Sequence, residues 1–127
     1  MPIQRISRDQ RLRLKSDFEN LRTNGFARSN SYLVIKVAPS GKSLPRFAFI
    51  VSKKVSTSSV RRNRIKRILK DIVRQISLGK NKDILIIARQ SALGASHAEL
   101  LIAVKDLFNK LQLLKLNSRE SVTSNLN

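Results

Sequence analysis

The chain is poor in the residue pairs that carry out acid–base or metal chemistry and rich in cations. Its eight carboxylates are Asp9, Asp17, Glu19, Asp71, Asp83, Glu99, Asp106 and Glu120, scattered along the sequence. None falls into a DxD, ExxH or HExxH spacing, the patterns that bring metal ligands or an acid–base pair together. His97 is the sole histidine and reads as a surface residue in the first turn of a helix. Cysteine is absent, which excludes a disulfide framework and a thiolate metal site. The four glycines form no phosphate-cradling GxGxxG array. A hydrolase acting unaided needs a nucleophile–base pair, a carboxylate pair or a metal cluster. The sequence offers none of these, so a catalytic centre within this chain is not expected.

The bases behave differently. RRNRIKRILK, residues 61–70, has six basic residues in ten and no acid. Around it, apolar residues fall at Ile65, Ile68, Leu69, Ile72, Val73 and Ile76. That is the i, i+3, i+4, i+7 spacing of an amphipathic helix. At about 100° per residue, Arg67, Lys70 and Arg74 lie within about 40° of Asn63, opposite Ile65 and Ile72. Arg64 and Lys66 flank this stripe. A disordered basic tail would not hold its isoleucines in such register. Asp71 is the only acid on the helix, so few ion pairs relieve the repulsion. An approaching polyanion would gain several charge-assisted contacts at once.

The whole composition agrees. In 127 residues, 26 Lys and Arg face 8 Asp and Glu, a formal charge of +18. Such an excess costs self-repulsion unless a polyanion offsets it. Hydrophobic residues make up 41%, enough for a core and too many for a disordered tail protein. Nucleic acid is the first candidate partner and an anionic membrane surface the second. The membrane reading is weak, because no apolar run approaches the roughly 20 residues of a spanning helix. MPIQRISRDQR lacks the apolar core of a signal peptide, and a cytoplasmic protein is expected.

The elements that must position the basic stripe can be read in order. Residues 1–13 form a basic arm without period. Ser16 with Glu19 fits a capping box and Gly25 a helix end, which predicts a short helix over 17–24 carrying Phe18 and Leu21. YLVIKVA (32–38) and RFAFIVS (46–52) read as strands joined through APSGKSLP in an antiparallel hairpin. On the second strand, Phe47, Phe49 and Val51 share one face, and Ala48, Ile50 and Ser52 the smoother, more polar other. The basic helix spans about 60–77 and closes at Gly79. DILIIAR (83–89) is continuous and apolar, as in a strand buried on both faces. Strand, helix and buried strand make a βαβ unit. Ser96 with Glu99 opens a last helix whose stripe is Leu100, Val104, Leu107, Phe108 and Leu111. Residues 115–127 have too little apolar content to pack. The predicted architecture is a single α+β domain over 14–114, an α-β-β-α-β-α sandwich.

No helix-turn-helix pair, zinc ligand set or zipper points to a DNA groove. The smooth strand face beside Phe18 suits a single strand held by stacking and backbone contacts. Phe18 and Tyr32 each also read as plain core residues.

RLRLKSDF (11–18), FIVSKKV (49–55), RRNRIKRILKDIVR (61–74) and DILIIAR (83–89) stand in an order that resembles the protein subunit of bacterial ribonuclease P. The resemblance covers roughly 5–114, and the RNR element at Arg62–Asn63–Arg64 followed by IKR is its most specific part. It implies an accessory role: the family's catalyst is an RNA, and the protein helps it cut the 5′ leader from precursor tRNA. Arg62, Asn63, Arg64, Lys66 and Arg67 would contact the catalytic RNA, with Lys53 and Lys54 on the same surface and Arg61, Lys70 and Arg74 extending it. The leader would lie in a cleft between the first helix and the sheet. There Phe18 matches the family's aromatic and Arg89 the base that closes IIAR, with Tyr32 a further candidate. Two positions depart from the pattern. Arg22 stands where a second aromatic is common, and Ile35 or Lys36 where the first strand has another, which shifts the cleft towards charge. The resemblance further implies a left-handed βαβ crossover, magnesium held mainly by RNA with no metal bound by the protein alone, and a monomeric subunit. A general RNA-binding or ribosome-associated protein is the rival reading; the RNR–IKR spacing argues against it.

Overall fold

The computed structural model describes residues 15–40, 45–76 and 82–113. The expected N-terminal arm, the C-terminal tail and the Gly79 helix stop lie outside these residues. Three α-helices and four strands follow in the order α1 (Lys15–Asn24), β1 (Phe26–Ser29), β2 (Leu33–Pro39), β3 (Arg46–Ile50), α2 (Ser59–Gln75), β4 (Lys82–Ala88) and α3 (His97–Lys110). A 3₁₀ turn, Gln90–Gly94, joins β4 to α3. The α+β class holds, with one strand more than expected. FARS (26–29) is fully exposed and has no apolar alternation, so it gave no strand signal.

The sheet order is β1-β2-β4-β3. β1 pairs antiparallel with β2, β2 antiparallel with β4, and β4 parallel with β3. The expected hairpin between β2 and β3 is therefore not formed, because β4 inserts between them. β4 has neighbours on both sides and helices over both faces, which explains its unbroken apolar run. β3, α2 and β4 form the βαβ unit.

Strand register sorts the side chains onto two faces. Val37, Ile84 and Phe47 form one cross-strand row, and Ile35, Ile86 and Phe49 the next. These rows meet Ile65, Leu69, Ile72 and Val73 of α2 and Leu100, Val104, Leu107 and Phe108 of α3 in the main core. The other face carries the rows Ala27–Lys36–Leu85–Ala48 and Ser29–Val34–Ile87–Ile50. Among the described residues only α1 covers this face. Leu21 is its one buried residue, packed with Ala38 and Leu85, and half-buried Phe18, Ala48 and Ile87 surround them.

α1 begins at Lys15, so Ser16 lies inside the first turn and is not the cap that its spacing with Glu19 suggested. Gly25 does end the helix, for a reason of space. A Cβ there would sit 2.1 Å from the Leu21 carbonyl oxygen and 3.1 Å from that of Val37. Glycine lets α1 turn directly into β1 against β2. At α3 the expected capping box is complete: Ser96 Oγ accepts from the Glu99 N–H, and the Glu99 carboxylate accepts from the Ser96 N–H.

Candidate nucleic-acid interface

α2 starts from a loop tied in several places. Ser58 is the N-cap and its Oγ accepts from the Arg61 N–H at 3.3 Å. The Arg62 guanidinium reaches back to the Ser56 carbonyl at 2.9 Å. Val55 is buried, and Gln90 donates to the Lys54 carbonyl at 2.9 Å, which fastens the loop to the end of β4. Lys53 and Lys54 are left exposed on this anchored turn.

Along the helix, burial follows the predicted period: Ile65, Leu69, Ile72 and Val73 face the core and Ile68 packs at its margin. Arg61, Asn63, Arg64, Arg67 and Lys70 are exposed, and Lys66 and Arg62 half-buried. Among the described residues no carboxylate pairs with Arg61, Arg64, Lys66, Arg67 or Lys70. The first turn contains no acid, so the positive end of the helix dipole adds to the arginines. Arg74 differs from the rest of the predicted stripe. It donates to Asp71 at 2.8 Å, and His97 Nε2 of α3 stands 3.5 Å from the same carboxylate. Arg74 thus belongs to the junction of α2 with α3.

The second group of predicted residues divides. Phe18 and Lys36 share the α1 side of the sheet, where Val34, Ile87 and Ile50 provide a partly exposed aliphatic floor. Arg22 is exposed one turn beyond Phe18. Arg89 is exposed past the end of β4, its guanidinium bonded to the Asn30 carbonyl at 3.1 Å. It lines a groove with Ser31, Ser52, Lys54, Gln90 and Ser91. Lys54 and Arg89, assigned from sequence to two different surfaces, therefore meet in one groove.

Tyr32 does not join Phe18. It packs against the main core, and its hydroxyl donates to Glu99 at 2.7 Å. That bond raises the Tyr32 pKa. The Glu99 pKa is lowered, first by the Ser96 N–H and then by the Tyr32 hydroxyl.

Sequence reasoning missed one cluster. Arg46, at the start of β3, makes two 2.8 Å bonds to the Asp83 carboxylate and one of 2.9 Å to Asp17 of α1. Asp83 is the only buried charged residue described, and its hydrogen bonds raise the Arg46 pKa further. The parallel register Arg46↔Asp83 is the signal that would have found it. Among the described residues no three metal-ligating side chains come together.

The family profile described as Ribonuclease P matches residues 6–112. The ribonuclease P protein component of Dehalococcoides mccartyi is 36% identical over 117 residues, covering 91% of this chain and 97% of its own. That of Clostridium kluyveri is 35% identical over 109 residues, covering 83% and 96%. Among solved structures, the RNase P protein of Thermotoga maritima superposes with a TM-score of 0.71 at 25% identity, covering 79% and 96%. The RNase P protein of Staphylococcus aureus has the same fold, with a TM-score of 0.75 over 84% and 98% at 24% identity. The chain belongs to the bacterial ribonuclease P protein family, the accessory subunit of the endoribonuclease that matures the 5′ ends of tRNA.

Proposed function

We propose that this subunit docks on the catalytic RNA through α2 and the turn before it, and holds the 5′ leader of precursor tRNA on the α1 side of the sheet. The observation that carries this reading is the segregation of α2: one side closes the core, and the other presents Arg61, Arg64, Arg67 and Lys70 without acidic partners among the described residues. Asn63, Lys66 and the exposed Lys53 and Lys54 extend that surface, and Arg62 serves it by bracing the loop at Ser56. A rigid array of this kind meets several phosphates at fixed spacing.

On the sheet, Phe18 offers one ring for base stacking above an aliphatic floor, while Lys36, Arg22 and Arg89 supply backbone contacts. The Lys54–Arg89 groove supports a continuous path from this face to α2. Tyr32 and Arg74 have structural partners and carry less of the RNA contact.

The family's chemistry calls for magnesium, and the described carboxylates do not fit a protein-held ion. Asp17 and Asp83 converge around Arg46, which occupies the space between them. The ion is accordingly assigned to RNA phosphates, with the protein adding positive charge nearby and positioning the substrate. The subunit is read as a cytoplasmic monomer before assembly; no described helix is long and apolar enough to cross a membrane.

Reconstitution tests the proposal. The protein mixed with its catalytic RNA at low magnesium is expected to increase cleavage of precursor tRNA over RNA alone. An unchanged rate would sink the reading.

A further inference from the structure

We infer that Arg46 and Asp17 act as positioning residues for the leader: their ion pair clamps α1 at the height above the sheet that sets Phe18. The inference rests on the reading of the α1 face as the leader site, and it assigns a role to a cluster that touches no RNA in that reading.

α1 is weakly anchored by packing. Leu21 is its one buried side chain, and Phe18 is only half covered. Two further ties fix its ends. At the C-terminal end, Gly25 allows a backbone approach to Val37, and Asn20 donates to the Pro39 carbonyl at 3.0 Å. Near the N-terminal end the tie is ionic. The Arg46 guanidinium is fixed in the sheet by its paired bonds to Asp83, whose side chain is 2% exposed. Its remaining edge takes Asp17 at 2.9 Å, with side-chain exposures of 12% and 11%. Asp17 directly precedes Phe18, so the bond that holds one fixes the helix position of the other.

A guanidinium suits this task better than an ammonium. Its planar fork bonds two carboxylates from separate elements in one rigid geometry. The arrangement also leaves both carboxylates hydrogen-bonded on the face where a polyanion is to lie, with one of their two charges offset by Arg46. With the Asp17 bond lost, α1 would keep its hold at Gly25 and Asn20 and pivot at the other end, carrying Phe18 off the aliphatic floor.

Arg46 itself is a poor first variant, because removing it strands a buried Asp83 and endangers the fold. Asp17→Asn leaves the Arg46–Asp83 pair intact and weakens only the helix side. The experiment uses the holoenzyme reconstituted with its catalytic RNA and measures affinity for precursor tRNA with a leader and for leaderless tRNA. Asp17→Asn, Phe18→Ala and the double variant are compared with the unaltered protein.

Each single variant is expected to lower affinity for the leader-bearing substrate about tenfold, the order of one lost base stack. The loss is read as a change in the ratio of the two affinities, leader-bearing over leaderless. Because Asp17 acts through Phe18, the double variant should be no worse than Phe18→Ala alone. A leader effect of Phe18→Ala without one of Asp17→Asn overturns the clamp. Additive losses overturn it too, since Asp17 would then act independently of Phe18. No leader effect of Phe18→Ala refutes the leader site itself, and the clamp inference falls with it.

Discussion

Arg62 and Arg64 stand two residues apart and do different work. Arg62 is half-buried, with its guanidinium on the Ser56 carbonyl, so its charge braces the loop that starts α2. Arg64 is exposed, as is Arg67 one turn later. Replacing both, Arg64→Ala with Arg67→Ala, is expected to leave the fold intact, because neither side chain contacts the core. Catalytic-RNA binding should weaken, and the log–log salt slope should shrink by roughly 0.7 to 0.9 per lost phosphate contact. Circular dichroism and a salt titration of the dissociation constant check the two halves of this statement; an unchanged constant would refute the assigned role. The exposed bases were legible because a period of 3.6 separates them from the isoleucines. That Arg46 joins Asp17 to Asp83 was not legible, because only the tertiary fold brings those partners near, 29 and 37 residues away. Arg74 pairs with Asp71 at i,i+3 within α2, a spacing the helical period already contained, and only the approach of His97 from α3 depends on the fold.

Elements with their own caps could be read from sequence, and those defined by neighbours could not. The Ser96–Glu99 box marks α3 correctly because its bonds are local. The same spacing at Ser16 misled, since α1 starts earlier and its N-terminal half is held by Arg46 instead of by a box. β1 was missed because four exposed residues take their strand state wholly from pairing with β2. The α3 cap also predicts a pH response. Glu99 has a folded pKa lowered from 4.5, so its contribution is complete above that value and is lost as pH falls through the lower folded value. Tyr32 is raised from 10.0, so its contribution is complete below that value and is lost as pH rises through the higher folded one. The Tyr32–Glu99 contact should therefore add to stability throughout the interval between, and Tyr32→Phe should abolish only that increment. Thermal melts of the two proteins across pH should run parallel within the interval and converge at its acid and alkaline ends.

For the molecule as a whole, a charge of +18 makes association with RNA strongly dependent on ionic strength. About six phosphate contacts at roughly 0.7 each give an expected log–log slope near −4 for the catalytic RNA. A slope near zero in a salt titration would contradict a docking surface built on α2. Composition and the basic period thus indicate the class of partner, and the RNR–IKR order indicates the family. Sheet order was the largest thing hidden, because a hairpin is the shortest link between two consecutive strands and nothing in β2 or β3 announces a third strand between them.

That interposed strand has a consequence for synthesis. β2 and β3 have no bonds to each other, and the slot between them is filled only by residues 82–88. Until β4 has left the ribosome, each presents an open edge of unpaired N–H and C=O groups along an apolar strand. The basic helix α2 precedes β4 and has no finished core to lie on before then. The nascent subunit must therefore pass most of its length through the exit tunnel before its sheet can close, a non-local assembly that favours slow folding and early self-association over early docking.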